Sequence, residues 1–227
     1  MPYDMKILLT GSTGFVGFHL QHRLAGSYVR CVSRYEAPDT IRIPVLNNRT
    51  DWAPALDGIT CVIHCAARVH ILNDQALDPL KHFREVNADG TANLARQAAE
   101  SGVKRFVFLS SVKVNGEFSD QGQPFFSSDQ PGPQDAFGIS KCEAEEALKQ
   151  VCADSGMEYV IIRSPLVYGP GVKANFLSIL KWTSRGVPMP LGGIKGNKRS
   201  LVFVDNLVDL IKNCIERPAA ANQTFSW

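Results

Sequence analysis

Five short runs along the chain are almost wholly apolar and rich in β-branched residues: 5–10 (MKILLT), 28–33 (YVRCVS), 60–65 (TCVIHC), 104–110 (KRFVFLS) and 158–163 (EYVIIR). Runs apolar at consecutive positions, rather than at alternate ones, belong to strands covered on both faces. Helical periods separate them: residues 15–25, a weak period at 51–57, a long one at 80–101, and 136–155. In the long period Leu80, Phe83, Val86, Leu94 and Ala98 recur at helical spacing, and Ser101-Gly102 is an ordinary stop. Strand and helix in alternation predict a parallel sheet with helices on both faces, a doubly wound α/β fold.

Two stretches break the alternation. Residues 115–135, rich in Gly, Pro, Ser and Asp, are too long for an ordinary connection, and read as a functional loop or a disordered one. After Pro165 come Gly169-Pro170-Gly171, a helix near 175–185, a Gly/Pro-rich turn, a strand at 200–204 and a helix at 206–217. The pattern therefore divides into a first domain over 1–165 and a partial second lobe over 166–227, whose last helix packs back on the first domain.

Composition narrows the possibilities. A chain of 227 residues with 44% hydrophobic content can bury a sizeable core. A net charge of +2 gives no nucleic-acid or membrane footprint, and the cluster Lys195, Lys198 and Arg199 is local. No stretch approaches the apolar length of a membrane span, and "MKILLTG" is a strand rather than a signal peptide, so a cytoplasmic location is expected. The six cysteines lie mostly inside apolar runs and form no CxxC pair, which suits free buried thiols. The histidines His19, His22, His64, His70 and His82 show no metal spacing, and no metal is expected. His64, in an apolar strand, reads as a satisfied core residue. Without a GxSxG elbow, Ser/His/Asp hydrolysis has little support.

The first chemical motif is "TGSTGFVG", with Gly11, Gly14 and Gly17 between the first strand and its helix. Glycines there let backbone N–H groups approach a pyrophosphate at the helix N-terminus, although a tight turn alone also uses glycine. There is no GK[ST], so a phosphate-transfer loop is not indicated.

Five further stretches follow in order: "VIHCAA" (62–67), "VNADGTANLARQA" (86–98), "FVFLSSVKVNG" (106–116), "FGISKCEAE" (137–145) and "IIRSPLVYGPG" (161–171). With the glycine loop, their order and position resemble the extended short-chain dehydrogenase/reductases, in the epimerase/dehydratase branch that acts on sugar nucleotides. The resemblance implies a Rossmann-type fold binding NAD or NADP and a UDP-sugar. Gly11, Thr13, Gly14, Phe15, Val16 and Gly17 would hold the pyrophosphate. Ala66 and Ala67 would border the adenosine ribose, Asn87 would order the central helix near the nicotinamide, and Ser110, Ser164 and Pro165 would complete the cofactor site. Ser111 matches the family's catalytic serine, and Lys141 the lysine that binds the nicotinamide ribose and lowers a tyrosine's pKa. Asn175 and Arg199 fall where the family contacts the nucleotide diphosphate. Ordinary alternatives stand beside these roles: Asn87 as a helix bridge, Ser111 as a strand-end turn, Lys141 as a solvated lysine, Arg199 as a surface charge. The family also suggests a homodimer through the helices at 80–101 and 136–155.

The chain departs from that family in three respects. The second strand ends in Ser33-Arg34 rather than in an acidic residue, so Arg34 could meet the 2′-phosphate of NADP. Family members are longer, and their further residues complete the sugar pocket. Most consequentially, Phe137 stands where the family has its catalytic tyrosine, four residues before Lys141 and so on the same helical face. The implied activity is epimerisation at C4 of a UDP-sugar, impaired by Phe137. One-way reduction of a 4-keto-6-deoxy sugar nucleotide by NADPH, and a catalytically dead binding protein, are the alternatives.

Overall fold

A computed structural model describes residues 5–69, 78–119, 123–172, 174–185 and 198–226. Seven strands, β1 (Lys6–Thr10), β2 (Tyr28–Ser33), β3 (Thr40–Arg42), β4 (Cys61–His64), β5 (Arg105–Ser111), β6 (Glu158–Ser164) and β9 (Gln223–Ser226), form one sheet in the order β3-β2-β1-β4-β5-β6-β9. Every pairing in it is parallel. The order reverses between β1 and β4, and such a switch point opens a crevice at the carboxyl ends of the strands.

Alternate strand residues face opposite helical layers. Leu8, Val62, Phe106, Phe108 and Ile161 pack with Leu94 and Ala98 of α4 (Gly90–Glu100) and with Ala144, Leu148 and Cys152 of α5 (Ala136–Ser155). On the other face Ile7, Leu9, Ile63, Val107, Val160 and Ile162 pack with Leu20 of α1 (Phe15–Arg23) and with Leu207, Val208 and Ile211 of α7 (Val204–Glu216). The last helix thus returns onto the main sheet beside α1. The short α2 (Ala53–Leu56) corresponds to the weak period at 51–57. Two further strands, β7 (Leu166–Tyr168) and β8 (Leu201–Phe203), pair with each other, and α6 (Ala174–Ser184) lies between them in the chain.

The long helical period is interrupted. It begins as α3 (Pro79–Phe83), whose N-cap Asp78 accepts the Lys81 N–H at 3.1 Å, and resumes as α4. Between them Arg84–Asp89 is a π-helical stretch, which apolar spacing does not reveal. The spans β3, β7 and β9 were also not expected from the sequence; each has three or four residues. Loop residues 115–119 and 123–135 are irregular, yet anchored: Asn115 donates to the Phe126 carbonyl at 2.9 Å, and the Gly132 N–H to that of Val114 at 3.0 Å. All six cysteines are free, five of them buried and Cys65 half-buried. Among the described residues no helix is long and apolar enough to cross a membrane.

His64 is satisfied on both sides, as a core histidine must be. Thr10 Oγ1 lies 2.6 Å from its Nδ1 and Thr91 Oγ1 3.0 Å from its Nε2, while its ring stacks on Phe108. The Thr10 hydroxyl also accepts the Ala66 N–H at 3.3 Å, and in either neutral tautomer one ring nitrogen donates to its threonine while the other accepts. Burial first, and the nearby Lys141 ammonium second, hold the imidazole pKa down at about 3. Between pH about 6.5 and 3 the unfolded chain therefore binds a proton that the folded one does not. Stability falls as pH falls through that window, by at most ~1.4 kcal/mol per pH unit. In urea titrations His64→Gln should flatten this slope above the carboxylate range, at roughly pH 6.5 to 5. An unchanged slope would contradict a neutral buried His64.

Candidate active site

The expected site residues gather where the strands end. The glycine loop follows β1, Ala66 and Ala67 follow β4, and Ser111 closes β5. Ser164 closes β6 as the register partner of Ser111, with the buried Pro165 next to it.

The three glycines serve different ends. Gly11 has φ +71°, and a Cβ there would lie 2.7 Å from the Ala66 nitrogen. A Cβ on Gly17 would lie 2.1 Å from the Gly11 carbonyl oxygen. These two glycines let strand, loop and helix close on one another. Gly14 is exposed, and its N–H closes the turn on the Gly11 carbonyl at 2.9 Å. It caps α1 with no side chain, so the N–H groups of Phe15, Val16 and Gly17 meet no intrahelical acceptor and no side-chain cap. That edge suits a diphosphate by the chemistry of its donors, with no side chain at 14 to obstruct it.

Asn87, in the π-helical stretch, is buried and holds three partners. It accepts the Arg68 N–H at 2.8 Å and donates to the Arg68 carbonyl at 3.0 Å and to Ser140 Oγ at 3.0 Å. Ser140 Oγ in turn donates to the Phe137 carbonyl at 2.8 Å. Asn87 therefore bridges the segment after β4 to the first turn of α5.

Helix α5 starts from an Asp135 N-cap, whose Oδ1 accepts the Gly138 N–H at 2.6 Å. Gly138 is needed there: a Cβ would lie 2.8 Å from the Lys113 carbonyl oxygen, so this glycine lets the helix start against the turn that follows Ser111. Phe137 is half-buried, with its ring edge-on to Phe83 at 6.1 Å. One turn on, Lys141 is buried rather than solvated. Its Nζ donates to the Leu109 carbonyl at 2.8 Å and lies 4.3 Å from the Phe108 ring centroid. Burial pushes its pKa down to about 8, against the opposing pull of Cys65 and Glu145. Ser111 is half-buried, and its Oγ accepts the Lys113 N–H at 3.3 Å.

Other expected residues are more peripheral. Thr13 is exposed at the loop tip, and Arg34 is exposed after β2 with its guanidinium 5.8 Å from the Tyr35 ring centroid. Arg199 is exposed just before β8, and the described contacts do not bring it to the others. The side chain of Asn175 lies outside the described residues.

Sequence reasoning overlooked a buried network behind the site. Glu145 forms an ion pair with Arg163 at 2.7 Å, both side chains 2% exposed, and accepts the Ser110 hydroxyl at 2.5 Å. Arg163 also reaches Asn115 Oδ1 at 3.2 Å. The signal was present: Glu145 stands four residues after Lys141, and Arg163 is a charge inside an otherwise apolar strand.

Comparison with known proteins adds three findings. The NAD dependent epimerase/dehydratase family matches residues 7–226. A UDP-glucose 4-epimerase of Vibrio cholerae is 50% identical over 227 residues, 97% of this chain and 69% of that one. An N-acetyl-alpha-D-glucosaminyl-diphospho-ditrans,octacis-undecaprenol 4-epimerase of Escherichia coli is 28% identical over 98% of this chain and 66% of its own length. The chain thus spans about two thirds of both relatives. Among solved structures, MoeE5 in complex with UDP-glucuronic acid and NAD superposes with a TM-score of 0.82 at 26% identity, over 97% of this chain and 75% of that one.

Gly14→Val tests the loop. A branched side chain at 14 would occupy the approach to the α1 N-terminus while the packing glycines Gly11 and Gly17 stay in place. Calorimetric titration with NAD should show affinity reduced at least ~10²-fold in a variant that still unfolds cooperatively. Unchanged affinity in that folded variant would remove the loop from the dinucleotide site.

Proposed function

The chain belongs to the NAD dependent epimerase/dehydratase family, and on that premise we propose that it epimerises UDP-hexoses at C4, slowly, with NAD as its cofactor. One observation carries this: 50% identity with a UDP-glucose 4-epimerase along 97% of the chain. The NAD bound by MoeE5, at 26% identity, favours NAD over NADP. Arg34 is the residue that would meet a 2′-phosphate in the other case.

When bound, the nicotinamide would supply a reversible hydride acceptor for C4. The chain's own groups do the rest. The α1 N-terminus and the loop at Gly14 receive the diphosphate, and Asn87 fixes α5 against the segment after β4. Ser111 Oγ, beside Ser164 at the strand ends, is placed to hydrogen-bond the sugar oxygen at C4. Lys141 presents its ammonium from the floor of the same site. On this reading β7, α6 and β8 begin the lobe that holds the sugar, while α7 and β9 belong with the main sheet, and α3 to α5 offer the face for a second copy of the chain.

Phe137 is where the mechanism is deficient. Oxidation at C4 releases a hydroxyl proton that must leave as the hydride departs, and reduction of the ketone must return one. A phenylalanine keeps the ring and its contact with Phe83 but can neither accept nor donate that proton. Loss of a positioned acid/base costs roughly 10²–10⁴-fold. Phe137→Tyr should accordingly raise conversion of UDP-galactose to UDP-glucose by a factor of that order. No gain in a variant that binds NAD would show that position 137 is not the acid/base position.

A further inference from the structure

We propose that Lys141 is itself the acid–base group of this chain, exchanging the C4 hydroxyl proton through one water molecule in the place a tyrosine oxygen would fill. The inference rests on the epimerase reading and deepens it.

Three observations carry it. First, the start of α5 is firmly held: Asp135 caps it, Gly138 lets it pack on the turn after Ser111, and Asn87 bonds Ser140, whose hydroxyl donates to the Phe137 carbonyl. Phe137 brings a ring but no oxygen to this helix start. Second, Lys141 is one turn from Phe137 on the same face, and its Nζ is held at 2.8 Å by the carbonyl of Leu109, two residues before Ser111. An ammonium has three donors, and among the described residues no carboxylate is hydrogen-bonded to this one. Third, the groups around it leave it free to change charge. From the end of β4 it faces His64, held neutral, and from the residue after that strand Cys65, whose thiol burial holds at about 12. Glu145, on its own helix, is committed to Arg163 and Ser110. Burial then makes the neutral amine accessible near pH 8.

The step balances. With the amine unprotonated, the C4 hydroxyl proton passes through the water to Nζ as the C4 hydrogen leaves with its electron pair to oxidised NAD, the co-reactant. The C4–H and O–H bonds break and a C4=O double bond forms. In the return, hydride comes back to the opposite face of C4 and the ammonium restores the proton to oxygen. The net change is inversion at C4, with NAD and Lys141 regenerated.

The test begins without turnover. In cofactor-free protein carrying 15N-labelled lysine, one ζ-nitrogen should titrate with a midpoint at about 8, and that signal should be missing from Lys141→Met. With NAD and UDP-galactose, the unmodified protein's slow turnover should rise with pH through the same midpoint. Lys141→Met should lower it at least ~10²-fold at saturating NAD. Phe137→Tyr should move the limb away from the lysine midpoint. A ζ-nitrogen that titrates only in the ordinary lysine range, or turnover in the unmodified protein no faster than in Lys141→Met, overturns the proposal. If Phe137→Tyr is active while either result holds, the proposal fails alone. If Phe137→Tyr is also inert with NAD bound, the epimerase reading fails and takes the proposal with it.

Discussion

The geometry of the site depends on one buried ion pair. Glu145 and Arg163, each 2% exposed, link α5 to β6, and Glu145 draws in Ser110 on β5 while Arg163 reaches Asn115 in the following loop. Those elements carry Lys141, Ser164 and Ser111. Burying two charges is expensive, and a well-packed apolar pair could be as stable or more so. What an apolar pair would lack is direction. Arg163 gives N–H groups to both Glu145 oxygens, at 2.7 to 3.2 Å, and the hydrogen bonds fix where along β6 the helix must sit. Removing one partner would strand a buried charge, at a cost of about 3–5 kcal/mol.

The cofactor side rests on steric exclusion instead. Gly11 and Gly17 are glycines because backbone occupies the space a Cβ would need, whereas Gly14 is exposed and a Cβ there would meet the Gly11 carbonyl oxygen less severely, at 3.1 Å. The spacing of the three is therefore a strict packing requirement at two positions, and a tight contact joined to exposure at the third. The Thr10–His64–Thr91 chain supports the same corner from beneath, tying the end of β1 to α4 and holding the Ala66 amide.

Much of this was legible in the chain. Continuous apolar runs gave away the five inner strands, and the order of short motifs pointed to the family before any coordinate. What escaped has identifiable causes. β3 and β9 are edge strands of three and four residues, each preceded by a residue with positive φ, Asp39 and Asn222, so no run of strand formers announces them. The π-helical stretch around Asn87 keeps helical composition, and only backbone hydrogen bonding distinguishes it. Glu145 and Arg163 lie 18 residues apart, and nothing local says that each charge is the other's partner.

Helix α5, Lys141, Ser111 and the glycine loop are thus all in place, and position 137 carries a phenylalanine, which has no oxygen to offer. If hydride moves between C4 and the nicotinamide, hydrogen at C4 never meets solvent, however slowly the proton is handled. Prolonged incubation of the protein and NAD with UDP-glucose deuterated at C4, followed by mass spectrometry of the hexose, reads this directly. UDP-galactose that accumulates slowly with its deuterium intact is the predicted result; deuterium exchanged for solvent hydrogen in the epimerised product would contradict it.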